Sequence, residues 1–207
     1  MARLLYVEAS PRKERSHSIA VSRAFLAAYR TGNPGDTIEE LDLFAEDLPP
    51  FDGDTLAAKY AVMGGEDFSA EQKSAWDAVT EKAERFKSFD KYVFSVPMWN
   101  FGVPYRLKHY IDYVTQPGLL FKVDDSGNYE GLCSGPAMVI SARGGEYNPS
   151  MPGGYDYEAP YMALWCGFVG LEPDSLLVQP TAQNGPDAAR EARAAAIDEA
   201  KSKAASF

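Results

Sequence analysis

Five short segments rich in apolar residues recur along the chain, and each ends in a loop of glycine, proline or polar residues. They span 4–7, 37–43, 92–96, 137–141 and 176–178. Apolar segments that do not alternate with polar residues are typical of parallel strands buried on both faces. Between them, apolar residues recur at helical spacing, as in Val21, Phe25 and Tyr29. The pattern therefore predicts a strand and a helix repeated five times.

That order predicts an α/β fold in which a five-stranded parallel sheet carries helices on both of its faces. Five strands favour the flavodoxin-like order 2-1-3-4-5 over the six-stranded dinucleotide-binding fold. The length of 207 residues suits one domain, so we expect residues 1–207 to form a single unit. In such sheets a ligand binds beyond the carboxyl ends of the strands, between strands 1 and 3.

Two segments between strands 2 and 3 differ in their signals. Residues 44–65 lack a clear period, and Pro49-Pro50 and Asp52-Gly53-Asp54 predict a loop there. Ser69 and Gln72, in contrast, have the spacing of a capping box, which predicts the start of a helix.

The second half of the chain contains three further segments with a clear expectation. Residues 119–135 hold two short apolar pieces around a turn and predict a small hairpin. Residues 146–160 predict a long loop, which in a compact domain is usually functional. Residues 161–169 are apolar nearly all round, which predicts a helix buried on more than one side.

The formal charge of 20 − 30 = −10 excludes general nucleic-acid binding and disfavours a polybasic membrane-surface role. No apolar run is long enough to span a bilayer, and residues 1–8 lack the pattern of a signal peptide. We therefore expect a cytoplasmic protein. Cys133 and Cys166 are too few for a disulfide framework or a cysteine-rich zinc site, so no metal site is predicted.

The loop after the first strand, Ser10 to Ser18, brings three hydroxyls to the start of a helix. Backbone N–H groups and the positive helix end make such a place an anion site. Arg12, Lys13 and Arg15 against Glu14 give the loop a charge of 3 − 1 = +2. A phosphate monoester fits this loop, which has neither G-x-G-x-x-G nor a P-loop motif. The alternative is that a serine here only caps the helix.

The loops after the third and fourth strands carry aromatic rings and glycines. Residues 97–104 read Pro-Met-Trp-Asn-Phe-Gly-Val-Pro, which can line a flat heterocycle or simply pack on their own domain. Gly144-Gly145 lets the backbone approach a ligand closely, or permits a turn. A phosphate site and a planar-ring site at one crevice together describe a flavin mononucleotide (FMN) site.

These residues resemble the FMN-dependent NADH azoreductases, also described as FMN-dependent NADH:quinone oxidoreductases, which are related to the mammalian quinone reductases. The resemblance covers nearly the whole chain. It rests on S-P-R-x-x-x-S-x-S at Ser10–Ser18, on P-M-W-N-F-G-V-P at Pro97–Pro104, and on A-R-G-G at Ala142–Gly145. Similarity continues through 107–112 and 117–121.

The resemblance implies one FMN per subunit, held by three groups of residues. The groups are Ser10, Ser16, His17 and Ser18 for the phosphate end, Pro97, Met98, Trp99, Asn100 and Phe101 for the ring system, and Ser141, Ala142, Arg143, Gly144 and Gly145 for its other edge. It also implies a homodimer in which Phe168 covers the partner's flavin. Val123 stands where some members have tyrosine, and Tyr147 where others have histidine, so the substrate range stays open.

No acid–base machinery stands out around the two histidines, His17 and His109, as expected if the cofactor carries the chemistry. The predicted reaction is ping-pong: NADH gives a hydride to the flavin, and a quinone or azo compound then takes two electrons. Asn100 is the candidate for tuning the flavin near its reactive nitrogen N5, while Phe168 and Tyr147 are candidates for lining the substrate. The alternatives are a flavodoxin-type electron carrier and a flavin-free interaction domain. The sequence does not distinguish NADH from NADPH.

Overall fold

Five parallel strands form the main sheet of the computed structural model, which describes residues 1–65, 67, 69–147 and 155–207. In chain order, the strands are β1 (Arg3–Glu8), β2 (Thr37–Asp42), β3 (Lys91–Pro97), β4 (Phe121–Val123), β5 (Tyr129–Gly131), β6 (Pro136–Ala142) and β7 (Glu172–Val178). The main sheet has the order β2-β1-β3-β6-β7, while β4 and β5 pair with each other. Counted within the main sheet, this is the predicted order 2-1-3-4-5, and the fold class is confirmed.

Six helices accompany these strands in the part of the chain that the structure describes. They are α1 (His17–Gly32), α2 (Gly53–Gly64), α3 (Ala70–Lys87), α4 (Tyr105–Val114), α5 (Ala159–Phe168) and α6 (Gly185–Ala204). Helices α1 and α6 pack on one face of the sheet through one buried cluster. Helices α3, α4 and α5 pack on the other face through a second. The helices therefore cover both faces, as the apolar strands require.

The register of the strands brings their carboxyl ends to one edge. Glu8 at the end of β1 lies opposite Ser95 of β3, and Ser95 lies opposite Ile140 of β6. The loops that follow these three strands therefore emerge side by side. This is where the strand order reverses and where the sequence predicts the ligand.

Helix α2 is the main departure from the prediction: the loop predicted at Pro49-Pro50 and Asp52-Gly53-Asp54 ends at Asp52, and a helix that the sequence did not indicate begins at Gly53. Asp52, which suggested a turn, is the helix N-cap: its Oδ1 accepts the Thr55 N–H at 3.2 Å. The buried face of α2 consists of the small residues Thr55, Ala58 and Ala61. Small buried residues leave no apolar period to detect, which explains the wrong prediction.

Two smaller predictions are confirmed. The capping box of α3 is present, with the Ser69 N–H 2.8 Å from Gln72 Oε1 and the Gln72 N–H 3.2 Å from Ser69 Oγ. The predicted hairpin is the antiparallel pair of β4 and β5. Among the described residues, no helix combines the length and apolar character that crossing a bilayer requires.

The prediction for α5 holds on one side of the helix. Met162, Trp165 and Cys166 are buried in the core, whereas Leu164 on the opposite side is 71% exposed. A large apolar side chain so exposed on an almost wholly apolar helix is unusual. Within one chain, α5 is therefore not buried on more than one side. The predicted loop over 146–160 lies partly outside the described residues, at 148–154.

Candidate functional site

A cavity of about 190 Å³ opens at the carboxyl edge of the sheet. It is lined by Ser10, Arg12, Ser16, His17, Pro97, Met98, Trp99, Ala142, Gly144, Thr181 and Ala182. Residues from all three loops predicted to bind the cofactor therefore meet at one place. A pocket that encloses a ligand the size of FMN has a volume of ~300–1,000 Å³. This cavity is smaller, so it holds only part of such a ligand.

The N-terminus of α1 forms the first wall of this cavity. Ser16 is the N-cap, and its Oγ accepts the Ile19 N–H at 3.4 Å and lies 3.1 Å from Ser18 Oγ. The side chains of Ser10, Ser16 and Ser18 are all buried. Ser16 therefore caps the helix, the role considered as an alternative above, and it also lines the cavity.

Two arginines near His17 make this wall electropositive. The Nδ1 atom of His17 is buried and has no hydrogen-bond partner among the described residues. Burial, followed by the nearby charges of Arg193 and Arg12, lowers the pKa of His17. An orphaned imidazole nitrogen, buried hydroxyls and a helix N-terminus are the groups that bind a phosphate ester. The residues present thus fit the phosphate end of FMN.

Lys13 contributes less to this wall than the loop charge of +2 suggests. Its Nζ forms ion pairs with Glu8, at 3.2 Å, and with Asp42. Burial lowers the pKa of Lys13, but its hydrogen bonds to Asp42 and Glu8 raise it overall. The charge of Lys13 therefore fixes the loop to β1 and β2, and Arg12 is the basic residue that lines the cavity.

The second wall is a tight turn at Trp99 to Gly102. The Trp99 N–H donates to the Gly102 carbonyl at 2.9 Å, and the Gly102 N–H donates to the Trp99 carbonyl at 3.1 Å. Asn100 and Phe101 both have left-handed backbones, with φ of 48° and 73°. Asparagine tolerates this region, but for phenylalanine it stores strain on the order of 1–3 kcal/mol. Strain of this kind persists where neighbouring structure enforces it.

Neighbouring residues do hold Phe101. Its carbonyl accepts the Tyr157 N–H at 3.0 Å. Phe101 is 45% exposed, and its ring packs on those of Tyr155 and Tyr147, with centroids 5.6 and 6.3 Å away. Tyr147, a candidate for lining the substrate, therefore lies beside this turn, Trp99–Gly102, which is predicted to bind the ring system and is called the ring-binding turn below. Asn100 and Phe101 themselves do not line the cavity, although they lie next to Trp99, which does.

The loop after β6 is joined to the loop after β7. The Gly144 carbonyl accepts the N–H groups of Ala182, at 3.0 Å, and Gln183, at 2.8 Å. A Cβ on Gly145 would lie 3.1 Å from Gln183 Oε1, so glycine there permits close packing between the two loops. Thr181 and Ala182 were missed from the sequence, although the end of the fifth strand reaches the same edge of the sheet and could have revealed them.

The side chains of Ser141 and Arg143 point away from the cavity, towards the start of α5. Ser141 Oγ donates to Glu158 Oε1 at 2.6 Å, and the Arg143 Nε and Nη2 groups donate to Glu158 Oε2 at 3.2 and 3.1 Å. Asp156 Oδ2 forms an ion pair with Arg143 Nη1 at 2.8 Å. Burial raises the pKa of Glu158, against the opposing effects of Ser141 and Arg143. The cofactor role predicted for Ser141 and Arg143 thus stays a prediction for their backbone atoms.

Phe168 lies apart from the cavity. It stands at the far end of α5, about 14 Å along the helix axis from Ala159, given a rise of ~1.5 Å per residue. Its ring packs on Phe121 and Tyr129 of the hairpin, at 4.8 and 5.6 Å. Val123 belongs to the same hairpin and is exposed. Phe168 therefore does not reach the cavity of its own chain.

The contacts of the remaining histidine, His109, and of the two cysteines indicate structural roles. His109 Nε2 lies 2.9 Å from the Pro49 carbonyl, which ties α4 to the segment before α2. Cys133 and Cys166 are unpaired and buried, and burial raises the pKa of each to about 12. Within the ranges that the structure describes, no three His, Cys, Asp or Glu residues are grouped so as to hold a metal ion.

Comparisons with known proteins agree with this geometry. Residues 2–204 match the family described as having a flavodoxin-like fold. The chain is 45% identical to an FMN-dependent NADH:quinone oxidoreductase of Nitratidesulfovibrio vulgaris strain DP4, over 100% of both chains. It is 42% identical to a protein of the same name from Desulfotalea psychrophila, over 87% of this chain and 86% of the relative.

Solved structures similar to this chain include azoreductases. An azoreductase from Bacillus anthracis strain Sterne superposes with a TM-score of 0.89 at 32% identity, over 100% of both chains. An FMN-dependent NADH-azoreductase from Bacillus anthracis strain Ames Ancestor, solved in complex with FMN, gives a TM-score of 0.85 at 27% identity, over 99% of this chain and 100% of that one. This chain therefore belongs to the flavodoxin-like family that includes the FMN-dependent NADH:quinone oxidoreductases and azoreductases.

Proposed function

We propose that this protein is an FMN-dependent NADH oxidoreductase that reduces quinones and aromatic azo compounds. The observation that carries the proposal is the cavity at the carboxyl edge of the sheet. There, buried hydroxyls and an orphaned imidazole nitrogen lie beside a strained aromatic turn. The relatives named above support the same activity. We also propose that residues 1–207 act as one FMN-binding domain.

Each wall of the cavity has its own part in this proposal. Ser10, Ser16, His17 and Ser18 bind the phosphate at the helix N-terminus, with Arg12 beside them. Pro97, Met98, Trp99, Asn100 and Phe101 hold the ring system, and residues 141–145 run along its other edge. When bound, FMN supplies the two-electron chemistry, and the chain supplies binding and orientation. This division of labour explains why the site needs no catalytic triad.

We infer that NADH and the acceptor use the same open face in turn, which gives ping-pong kinetics. Asn100 is the residue proposed to tune the cofactor near its reactive nitrogen. The Asn100 backbone, held at a φ of 48°, presents its polar groups at the tip of the ring-binding turn. A cytoplasmic location belongs to the same proposal, because NADH would be the electron donor.

A homodimer completes the proposed site. Leu164 of α5 is exposed. A second cavity of about 780 Å³ lies between α4 and α5, lined from α4 by Tyr105 and Lys108 and from α5 by Tyr161 and Trp165. The Tyr105 ring lies 6.4 Å from Trp99, so this face adjoins the ring-binding turn. A second copy seated on this face would cover Leu164 and would bring its own Phe168 towards this cavity.

The experiment is a reductase assay on the FMN-loaded protein with NADH or NADPH, against a quinone such as menadione and an azo dye such as methyl red. We expect turnover with both acceptors and parallel lines in double-reciprocal plots. If the loaded protein does not oxidise NADH, the enzyme proposal fails and an electron carrier remains. Light scattering should give the mass of two chains, and Leu164→Glu should lower it to one. A wild-type monomer would contradict the proposed dimer.

A further inference from the structure

The segment 155–158 contacts two walls of the cavity at once. Through the Tyr157 N–H it reaches the Phe101 carbonyl in the ring-binding turn, at 3.0 Å. On either side of Tyr157, Asp156 and Glu158 bind the guanidinium of Arg143, in the loop after β6. A short stretch of chain thus joins two loops that belong to different strands.

The arginine at the centre of this arrangement is fixed from several directions. Arg143 is 1% exposed and Glu158 is fully buried, so the pair is shielded from water. Glu158 accepts from Arg143 through one carboxylate oxygen and from Ser141 through the other. The bond from Ser141 is short, at 2.6 Å, and the two from Arg143 are charge-assisted, which makes such bonds stronger than those between neutral groups. They define where the segment begins its turn into α5.

Asp156 extends the same arrangement into the helix. Its Oδ1 accepts the N–H groups of Glu158 and Ala159, each at 3.0 Å, and therefore caps the first turn of α5. Its Oδ2 contacts Arg143 Nη1 at 2.8 Å. Because both neighbours of Tyr157 are anchored, the Tyr157 N–H is held in one position, facing the Phe101 carbonyl.

Phe101 is the residue that needs such support. A phenylalanine at φ 73° is rarely stable unless its surroundings enforce the conformation. The turn's own hydrogen bonds, between Trp99 and Gly102, close the loop but do not contact Phe101. The Tyr157 N–H is the backbone donor that does.

We propose that Asp156 and Glu158, acting through Arg143, are positioning residues that hold Phe101 and the ring-binding turn in their left-handed conformation before the cofactor binds. They form a clamp, defined here as Arg143, Asp156 and Glu158. The clamp does not touch the reacting atoms. The consequence of the clamp, which is the orientation of the flavin ring, rests on the proposed function. The contacts of the clamp are formed within the chain and do not depend on that function.

The first test uses the protein without FMN, so that it stands even if the proposed function fails. Hydrogen exchange at the Tyr157 amide, followed by NMR, reports the bond to Phe101. Glu158→Gln should lower its protection by about tenfold, the effect of weakening one charge-assisted hydrogen bond. Glu146→Gln is the matched control, since it removes a charge from an exposed side chain of the neighbouring loop. Unchanged protection in Glu158→Gln would overturn the proposal.

The second test uses the FMN-loaded protein and a background in which the turn needs no support. Glycine adopts φ 73° without strain, so Phe101→Gly makes the turn independent of the clamp. Glu158→Gln should shift the circular dichroism of the bound flavin and lower kcat several-fold in the parent protein. In the Phe101→Gly background, the same change should add nothing. Equal effects in both backgrounds would overturn the proposal, because the clamp would then act by another route.

If Glu158→Gln does not fold, Asp156→Asn replaces it in both tests. Asparagine caps a helix as well as aspartate does, so α5 keeps its first turn while the ion pair with Arg143 is weakened. The expected result is the same loss of Tyr157 protection. Full protection in Asp156→Asn, with the ion pair removed, would contradict the clamp.

Discussion

The two ends of the cavity are built in opposite ways. At the phosphate end, Ser16 and Ser18 are buried, and their hydroxyls already contact each other at 3.1 Å at the start of a 16-residue helix. At the ring end, Asn100 and Phe101 hold left-handed backbones, and the Phe101 ring is half-exposed. One end is a regular helix terminus and the other is a strained, open turn.

This difference predicts that the phosphate end determines the affinity for FMN and that the ring end determines the rate of turnover. A helix N-terminus with buried hydroxyls binds an anion without rearrangement, so it can supply most of the binding free energy. An open turn cannot enclose a ligand, but it leaves a flat face free for a second flat molecule. We therefore expect changes at the phosphate end to alter FMN binding and changes at the ring end to alter turnover.

The largest effect should come from the double change Ser16→Ala and Ser18→Ala. Two hydroxyl contacts to a phosphate are worth roughly 1.5–3 kcal/mol each, so the Kd for FMN should rise by about 10²- to 10⁴-fold. Titration followed by flavin fluorescence measures this. Ser22→Ala is the matched control, because Ser22 lies on the same helix and its buried hydroxyl has no partner among the described residues. An unchanged Kd would assign the two serines to capping alone.

Phe168→Ala should give a smaller effect, and this effect should be on turnover and not on FMN binding. In the proposed dimer, Phe168 of one subunit lines the substrate face of the other, so its loss should change kcat/KM for quinones by about tenfold. The Kd for FMN should stay within about twofold, because Phe168 lies away from the phosphate wall. Steady-state kinetics and an FMN titration on the same preparation measure both quantities. A Kd that rises as much as kcat/KM falls would break the separation between the two ends.

The pH dependence of stability should reveal the surroundings of His17, where burial, followed by the charges of Arg193 and Arg12, disfavours the protonated imidazole. The pKa of His17 is lowered in the folded protein, so the unfolded chain binds more protons between that value and the ordinary pKa of about 6.5. The free energy of unfolding of the FMN-free protein should therefore fall as pH falls through this window.

His17→Gln should flatten that fall. Urea denaturation at a series of pH values between 5 and 7 measures it. His109→Gln serves as the control for the loss of an imidazole elsewhere in the chain. Identical pH profiles in the parent protein and His17→Gln would show that neither burial nor the charges of Arg193 and Arg12 lower the pKa of His17.

The smallest effect is expected at the thiols, which belong to neither end. Burial raises the pKa of Cys133 and of Cys166 to about 12, so both remain protonated at neutral pH. Ellman's reagent should react with neither thiol in the native protein and with both after unfolding in urea. Rapid labelling of the native protein, accompanied by loss of turnover, would indicate a reactive thiol in the active site. That result would contradict the assignment of both thiols to neither end of the cavity.

The fold could be predicted because its signals are local and redundant. The three central strands of the main sheet, β1, β3 and β6, are short apolar segments that are buried along most of their length. The edge strands β2 and β7 carry more polar residues and were located from a few apolar positions each. The serines near the start of α1 combined two signals, a cap and an anion site; Ser16 caps the helix and also lines the cavity. The failure at α2 has a physical cause, since a helix that buries Ala58 and Ala61 leaves no pattern to read.

The site was predicted less completely, because side-chain direction is set by tertiary contacts. Nothing in A-R-G-G indicates that the Arg143 side chain turns towards Glu158, fifteen residues away, and not towards the cavity. Nor does the motif around Phe101 reveal its left-handed backbone. Lys13 shows the same limit for charge, since its partners Glu8 and Asp42 come from two different strands.

The cap at the start of α1 also bears on how the protein survives a shortage of its cofactor. Because Ser16 satisfies the Ile19 N–H and contacts Ser18 without any ligand, the first helix does not depend on phosphate to form. Chains synthesised faster than flavin is supplied should therefore fold, persist as a stable reserve and load later. Cofactor supply, and not folding, would then set how much active protein a cell holds.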